Sequence, residues 1–492
     1  MLHIAFLVIS TFAMLFCTVQ YVLFLTAIFA IYWSLPSARA RVWLLLAASF
    51  FFYASWNKWL ALLIGVTTVM DYLIARGMDA ATSSRRRKWL LWLSLAMNLG
   101  VLVIFKYANF FLDSLKEAVQ QFGASASLPV LSVMLPIGIS FYTFEAINYT
   151  IDVYRGRIKA ERDLGHFMIF ILFFPHLVAG PIVRAKDFLP QIKRPKRWSW
   201  PRMSLGLWLI VLGTFKKLAI ADRMAVFADP IFNDPAAYSS GAIWLAVLAF
   251  ALQIYCDFSG YSDIALGSAH LLGYKLMVNF RMPLFAPNIA EFWRRWHISL
   301  STWLRDYLFI PLGGSRGSRW MTFRNLLIVM TIGGLWHGAA WNFVVWGALQ
   351  GLLLISHKAF SNWCGRRPSL DHRLQSGPAT ALRIAVTFLV AMLSFAIFRA
   401  TSLQQVGILF TRLIVPAHGE PSLLPAACVG WTFLVVFIGH LLGTVMLRNR
   451  LSLWRRLLRV PPPAIGFGYA ALLNVALLIA PAESKAFIYF QF

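Results

Sequence analysis

The sequence predicts an all-α membrane protein that crosses the bilayer many times, and composition, mean hydropathy and charge pattern all indicate this class. Of the 492 residues, 59% are hydrophobic and 13% are charged, whereas soluble proteins carry about 25% charged residues. The mean hydropathy of +0.68 implies more apolar side chain than a packed core of this length can bury, so the surplus must face lipid. A soluble protein is therefore excluded.

The basic residues are distributed as in a membrane protein. The 45 Lys and Arg residues outnumber the 19 Asp and Glu residues, which gives a formal net charge of +26. They collect in short runs between apolar stretches, as in Arg85–Lys88, and this is typical of loops at a cytoplasmic membrane face. The charge therefore indicates a lipid bilayer and not a nucleic acid. The four cysteines form no CxxC pair, so neither a disulfide framework nor a metal site is predicted.

Apolar stretches long enough to cross the bilayer predict a helical bundle of about eleven transmembrane helices in a single domain, 1–492. In chain order they lie at 17–34, 42–75, 89–112, 129–150, 165–183, 204–228, 241–272, 326–356, 382–399, 427–447 and 464–482. The stretches 42–75 and 326–356 each have room for two helices.

Two basic loops set the predicted topology. The segment 184–202 holds seven Lys or Arg and one Asp, and 448–459 holds five Arg and no acid, so both are predicted to be cytoplasmic. One apolar stretch follows the second loop, which predicts an extracytoplasmic C-terminal tail. This aromatic tail, 486–492, either folds back into a cavity between the helices, since its seven residues can extend about 23 Å, or lies in the aromatic belt at the membrane surface.

The segment 279–319 differs from the apolar stretches around it. Three prolines interrupt it, and it mixes arginine with tryptophan. It cannot span the membrane as a simple helix. We expect short helices that lie at the cytoplasmic interface or re-enter from it.

His337 is the strongest candidate for a catalytic residue. No Lys, Arg, Asp or Glu occurs from Asn325 to Ser356, and a helix from Arg324 would carry His337 about 20 Å along its axis. An ionisable group at that depth is a functional candidate by default, and neutral imidazole can take a proton from a hydroxyl. The flanking glycines allow a substrate or another backbone to approach. The alternative is a histidine hydrogen-bonded between helices.

A second histidine, His297, follows the charged stretch that contains Arg294 and Arg295, where a surface role is equally credible. The guanidinium groups of Arg294, Arg295 and Arg305 can bind the phosphates of a donor, or they can simply satisfy the preference for positive charge at the cytoplasmic face.

Several other polar residues lie within apolar stretches and need partners there. Asp257 and Asp263 either bond to His, Arg or Tyr as structural groups or orient a catalytic imidazole. Weaker candidates of the same kind are Glu145, Asn148, Asp152 and His176.

At these residues the sequence resembles the membrane-bound O-acyltransferase family, and within it the bacterial branch that O-acetylates alginate. The resemblance extends from about Val19 to Phe492, with its motif core at 255–346, and it is most specific at 174–184, 257–267, 288–314 and 333–342. It implies a bundle with a central tunnel, His337 as the catalytic residue, His297 as its companion, and Tyr489 of the aromatic tail as a residue that receives the acyl group.

The resemblance implies that an acetyl group moves from a cytoplasmic thioester, acetyl-CoA or an acyl carrier, to a hydroxyl, with no bound cofactor. We expect Arg294, Arg295 and Arg305 near the donor, with Trp336 and Asn342 holding geometry or stabilising the oxyanion. The expected partners are a periplasmic SGNH-type acetyltransferase and an exported polysaccharide such as alginate or cellulose, and the expected location is the bacterial inner membrane.

Three alternatives stay open on the sequence. Within the acyltransferase class, the acceptor could be peptidoglycan, or the acyl group could be another than acetyl. A transporter or flippase would also have many apolar stretches, buried carboxylates such as Asp257 and Asp263, and proline-broken segments. Against a transporter, the sequence contains no recognisable inverted repeat.

Overall fold

The computed structural model describes residues 14–123, 129–178, 180–422, 425–448, 460–481 and 485–488. Within these ranges the chain is helical and forms no β-strand. Both the basic loop 449–459 and Tyr489 lie outside the described residues. The all-α fold class predicted from the sequence is confirmed.

The helices of the amino-terminal part are α1 Val19–Ser34, α2 Ala38–Ala54, α3 Lys58–Ala80, α4 Ser84–Leu102, α5 Ala108–Gln121, α6 Ile139–Tyr154, α7 Leu164–Leu172, α8 Phe174–Leu177 and α9 Ala185–Lys193. They are followed by α10 Trp200–Phe215, α11 Asp222–Asn233, α12 Ser240–Leu271, α13 Ile289–Arg295, α14 Ile298–Leu304, α15 Arg319–His337 and α16 Trp341–Cys364. The last are α17 Pro368–Leu374, α18 Gly377–Arg399, α19 Leu403–Ile414, α20 Ala426–Arg448 and α21 Pro462–Ile479.

In the part of the chain that the structure describes, three π-helical segments interrupt or extend these helices: Val103–Tyr107, Lys216–Ala221 and Arg305–Phe309. The first joins α4 to α5 and the second joins α10 to α11, so each pair runs as one long rod. A π-helical turn inserts an extra residue and is often found at functional sites.

By length and composition, eight described helices or helical rods can cross a membrane, and three shorter apolar helices accompany them. The two long stretches 42–75 and 326–356 each form two helices, as their length allows. The stretch 165–183 does not form one continuous helix, because α7 ends at Leu172 and a short turn containing Pro175 follows. Proline lacks the amide hydrogen that a continuing helix needs.

The chain divides into two compact units. The single membrane domain 1–492 that the sequence predicts stays a prediction. The first unit comprises Met1–Ile210 and Asp263–Met277. Its interior holds an aromatic cluster in which the ring of Phe174 lies 5.1 Å from that of Phe24. The hydroxyl of Tyr21 bonds to Ser268 Oγ at 2.8 Å, which ties α1 to the end of α12.

The second unit comprises Val211–Ser262 and Val278–Phe492. The predicted interfacial segment forms the short helices α13 and α14 in this unit, with α15 and α16 as a long hairpin after them. Trp293 of α13 donates from Nε1 to Gln350 Oε1 of α16 at 3.2 Å. The tryptophans of this segment therefore pack inward, while its arginines remain at the surface.

Candidate functional site

The position of His337 is fixed by the close packing of α15 against α16. A Cβ atom on Gly334 would lie 2.2 Å from the carbonyl oxygen of Phe343, and one on Gly347 would lie 2.4 Å from that of Met330. Only glycine allows the two backbones to approach this closely. Of the two roles predicted for the flanking glycines, Gly334 serves the approach of another backbone.

His337 is the last residue of α15 and is 4% exposed. Aromatic rings surround its imidazole: Trp336 at 5.0 Å, Trp346 at 5.4 Å and Phe398 at 5.3 Å between ring centroids. The helix stops because Gly338 is extended, and a Cβ atom there would overlap the ring of Phe343 at 2.1 Å. A hairpin turn thus places an ionisable ring among apolar groups.

His297 lies between α13 and α14 in the left-handed region, with φ 43° and ψ 52°. Few residues other than glycine adopt this conformation, and such strain is concentrated at functional sites. Asn279 stabilises the turn, since its backbone oxygen accepts from Ile298 N at 3.0 Å and its Oδ1 accepts from Ser299 N at 3.2 Å. The side chain of His297 is fully buried, which excludes the surface role.

The two candidate histidines lie close together. Their ring centroids are 6.3 Å apart and their planes are nearly perpendicular, at 82°. Trp336 also contacts His297, at 6.0 Å. The structure thus brings together three of the predicted residues, and two nitrogen bases share one aromatic environment.

A buried ionic cluster lies on α10 to α12 of the same unit. Lys217 Nζ is 2.7 Å from Asp257 Oδ1 and 2.7 Å from Asp222 Oδ1, and all three side chains are almost fully buried. Lys217 belongs to the π-helical segment Lys216–Ala221. Asp257 was predicted from the sequence, whereas Lys217 and Asp222 were not. A lysine pair within the apolar stretch 204–228 is the signal that could have found Lys217.

Part of the aromatic tail folds into the second unit. Phe487 is fully buried, and its ring lies 4.3 Å from Tyr261 and 5.9 Å from Phe258. Phe258 in turn lies 4.7 Å from His297. The backbone amide of Ile488 donates to Asp257 Oδ2 at 2.7 Å. The fold-back prediction is thus confirmed for Phe487 and Ile488, while the next residue, Tyr489, lies outside the described part.

Of the predicted donor-binding arginines, Arg294 and Arg305 are exposed and Arg295 is half-buried. Arg294, with 74% of its side chain accessible, bonds to Glu291 at 2.6 Å. Arg295 contacts the same carboxylate at 3.4 Å. Partial burial opposes ionisation of Glu291, but the bonds and charges of both arginines outweigh it and hold the pKa of that carboxyl below its ordinary value. Arg305 pairs with Asp306 at 2.7 Å.

Asn342 has a packing role in the structure. Its Nδ2 donates to the carbonyl oxygen of Ala400 at 2.7 Å, which ties the start of α16 to the end of α18. Within the described ranges, no three His, Cys, Asp or Glu side chains converge as metal ligands would.

Another buried histidine lies in the first unit. His176 Nδ1 lies 3.3 Å from Glu145 Oε1, and this carboxylate also accepts from Val183 N at 2.8 Å. Asn148 donates to the carbonyl oxygen of Val183 at 3.0 Å. The cluster bonds α6 to the segment after α8. Gly138 directly precedes α6 with φ +75°, and a Cβ atom on it would lie 2.5 Å from Leu177 O.

The sequence is similar to those of known proteins over most of its length. Residues 131–398 match the model of the membrane-bound O-acyltransferase family. The chain is 44% identical to the probable alginate O-acetylase AlgI of Azotobacter vinelandii over 389 residues, which are 78% of this chain and 74% of that protein. It is 37% identical to the peptidoglycan O-acetyltransferase of Helicobacter pylori, over 74% of this chain and 72% of that protein.

A more distant relative is the teichoic acid D-alanyltransferase of Bacillus subtilis, which is 30% identical over 53% of this chain and 68% of that protein. The names of all three relatives describe enzymes that transfer an acyl group, either acetyl or D-alanyl. The family match covers more than half of the 492 residues, and the resemblance predicted from the motifs is confirmed. The chain is a multi-pass membrane O-acyltransferase and belongs to the membrane-bound O-acyltransferase family.

Proposed function

We propose that this enzyme transfers an acetyl group from a cytoplasmic thioester, most simply acetyl-CoA, to a hydroxyl group and so supplies the O-acetylation of an exported polysaccharide. The observation that carries the proposal is one chain of aromatic contacts. Phe258 contacts the ring of His297 on one side and the ring of Phe487 on the other, and His337 lies beside His297. A segment of the tail is thereby held within the environment of the two imidazoles.

In the proposed reaction, the oxygen of the acceptor hydroxyl attacks the thioester carbonyl while the imidazole of His337 takes the hydroxyl proton. The oxygen–carbon bond forms, the carbon–sulfur bond breaks, and the proton passes to the departing thiolate. Trp336, which packs edge-on against His337, helps to hold the ring in place, and His297 acts as its companion. The aromatic surroundings exclude water, which would otherwise hydrolyse the thioester.

The acceptor hydroxyl in this proposal belongs to Tyr489. Burial of the two residues before it supports this assignment, since they bring the chain to the neighbourhood of the histidines. From Tyr489 the acetyl group passes to a periplasmic SGNH-type acetyltransferase, and this step requires the tail to face the extracytoplasmic side of the bacterial inner membrane. The name of the Azotobacter relative supports alginate, or a similar polymer, as the final acceptor.

Arg294, Arg295 and Arg305 are proposed to meet the phosphates of the donor. The exposure of Arg294 and Arg305 supports contact with a soluble cytoplasmic molecule, because a guanidinium at the surface can exchange its carboxylate partner for a phosphate. The ion pairs with Glu291 and Asp306 hold these side chains in place until the donor arrives.

The test is transfer of label from radiolabelled acetyl-CoA to purified protein in nanodiscs. Wild-type protein is expected to retain label on Tyr489, and both His337→Ala and Tyr489→Phe are expected to retain none. His372→Ala, an exposed histidine of α17, is the matched control and should label as the wild type does. Label on His337→Ala at the wild-type rate would overturn the role of His337, and label on Tyr489→Phe would overturn that of Tyr489.

A second candidate acceptor is peptidoglycan, which the name of the Helicobacter relative favours. The D-alanyltransferase relative favours another acyl group by the same argument. Acetyl content of isolated polysaccharide and peptidoglycan from cells with and without the enzyme distinguishes the acceptors. The transporter alternative has no support among these relatives.

A further inference from the structure

The buried ionic cluster joins three charged side chains. Lys217 Nζ lies 2.7 Å from one oxygen of Asp222 and 2.7 Å from one oxygen of Asp257. Ions in a nonpolar interior need full compensation, because the cost of removing them from water is large. A further donor to one of the carboxylates is therefore favourable.

The aromatic tail supplies that donor. Ile488 N donates to Asp257 Oδ2 at 2.7 Å, while Lys217 holds Oδ1, the other oxygen of the same carboxylate. Hydrogen bonds to an ionised acceptor are shorter and stronger than those between neutral groups. Asp257 thus connects the ion pair to the backbone of the tail.

We propose that the Lys217–Asp257 ion pair is a receptor that fixes the register of the aromatic tail and so positions the hydroxyl that follows Ile488. The inference rests on the proposed function in one respect, namely that the tail carries the acceptor hydroxyl. Lys217 and Asp257 are positioning residues, since they act through the tail backbone.

Register is set here by two different contacts on adjacent residues. The ring of Phe487 is held by Tyr261 at 4.3 Å, and the amide of Ile488 is held by Asp257. A slip by one residue would remove both contacts together, because the ring and the amide belong to adjacent residues and one residue advances the chain by about 2 to 3.5 Å. The side chain of Ile488 takes no part in the hydrogen bond, so the donor can be removed separately from the side chain.

Local backbone geometry brings Lys217 to Asp257. The π-helical segment Lys216–Ala221 continues α10, and a Cβ atom on Gly260 would lie 2.8 Å from Gly213 O and 3.3 Å from Lys217 N. Gly260 is three residues from Asp257 and therefore on the same face of α12. Its missing side chain lets the two helices approach closely enough for the ion pair to form.

The tail side of the interaction is tested by removing the donor alone. Ile488→Pro lacks the amide hydrogen, whereas Ile488→Val keeps it with nearly the same side chain. Hydrogen–deuterium exchange of the peptide that covers the tail, followed by fragmentation to single residues, reports docking without reference to activity. At residues 485–487, Ile488→Pro is expected to exchange at least about tenfold faster than Ile488→Val, because loss of a hydrogen bond to a charged acceptor frees the segment.

The receptor side is tested with Asp257→Ala, which removes the acceptor, and Asp257→Asn, which keeps an oxygen for Ile488 N. The expected order of tail exchange is Asp257→Ala, then Asp257→Asn, then wild type. The matched control is Asp229→Asn, which breaks an ion pair with Arg399 in the same unit and should leave tail exchange unchanged. Exchange in 325–356 must stay at the wild-type rate, which separates tail release from unfolding.

Tail exchange and label transfer together separate the two proposals. Faster tail exchange with lost labelling of Tyr489 supports both. Tail exchange at the wild-type rate in Asp257→Ala and Ile488→Pro would overturn the receptor, even if labelling failed. Faster tail exchange with full acetyl transfer would leave the receptor in place and overturn the tail as the acceptor.

Discussion

Two buried histidine sites in this protein have different surroundings. In the first unit, His176 faces a carboxylate, Glu145, which a backbone amide also holds. In the second unit, the rings of Trp346 and Phe398 surround His337, and another imidazole lies beside it. Burial is complete or nearly so at both sites.

Depth alone therefore does not identify a catalytic histidine. A histidine whose neighbours already form a bonded polar cluster links helices, and removing it disturbs packing. Aromatic rings lie near both histidines, since Phe173 and Phe188 are each 5.7 Å from His176. What distinguishes His337 is the second imidazole beside it, and such a pair can exchange protons with a substrate that enters. The difference predicts that substitutions at His176 act on stability and that those at His337 act on the reaction.

The largest expected effect is on the reaction rate of His337→Ala. Loss of a general base lowers rates by about 10²- to 10⁴-fold, so acetyl transfer per folded molecule should fall in this range. His176→Ala should instead reduce the amount of monodisperse protein, with transfer per folded molecule close to wild type. Size-exclusion chromatography combined with a transfer assay measures both quantities. Equal loss per molecule in the two variants would remove the distinction between the sites.

The next effect concerns His297 and its left-handed backbone. His297→Asn and His297→Ala both remove the ring and should lower transfer by up to about 100-fold, as misplacement of catalytic geometry does. Asparagine tolerates the left-handed region, while alanine there is disfavoured by about 1–2 kcal/mol. His297→Asn should therefore unfold at a higher temperature than His297→Ala. Thermal unfolding in detergent checks this order, and the reverse order would mean that the turn is not strained.

A smaller effect is expected at Glu145. Glu145→Ala removes the carboxylate beside His176 and leaves the amide of Val183 without its acceptor, which costs about 1–3 kcal/mol. Glu145→Gln retains an oxygen and should recover much of this loss. The thermal midpoint should fall in the order wild type, Glu145→Gln, Glu145→Ala, while transfer per folded molecule stays near wild type. A selective loss of transfer in Glu145→Gln would place this cluster in the reaction.

The smallest effect is expected at Arg294, an exposed arginine of the second unit. An exposed ion pair contributes about 0.2–1 kcal/mol, so Arg294→Gln should raise the KM for the donor a few-fold at unchanged kcat. Added salt should reduce the difference by screening. Arg366→Gln, another exposed arginine, is the control. Identical KM values in both variants would leave Arg294 with a role in topology alone.

Much of the architecture follows from the sequence because apolar length and basic loops are local signals. The fold class and the paired helices in 42–75 and 326–356 were predictable in this way, whereas for the tail the sequence left open whether it folds inward or lies in the aromatic belt. The motif resemblance selected His297 although its charged neighbours suggested exposure. Its burial depends on the left-handed turn and on Asn279, which lies 18 residues away in the chain and which no local pattern links to it.

The ionic cluster was harder to predict. Lys217 follows another lysine, and this pair resembles the basic residues that flank apolar stretches at the membrane surface. Only the approach of α10 and α12 through Gly213 and Gly260 turns one lysine toward Asp257. Such long-range contacts depend on small residues in two separate helices, and periodicity within either helix does not report them.

The glycine contacts between α15 and α16 limit how the enzyme can be redesigned to accept a longer acyl chain. Because Gly334 and Gly347 bring the two backbones into contact, this hairpin cannot shift to make room beside His337. Space for a longer acyl chain has to come from the side chains that face the imidazole, above all Trp346 and Phe398. Variants that shorten these two rings are the natural starting point for enzymes that attach propionyl or butyryl groups to polymers.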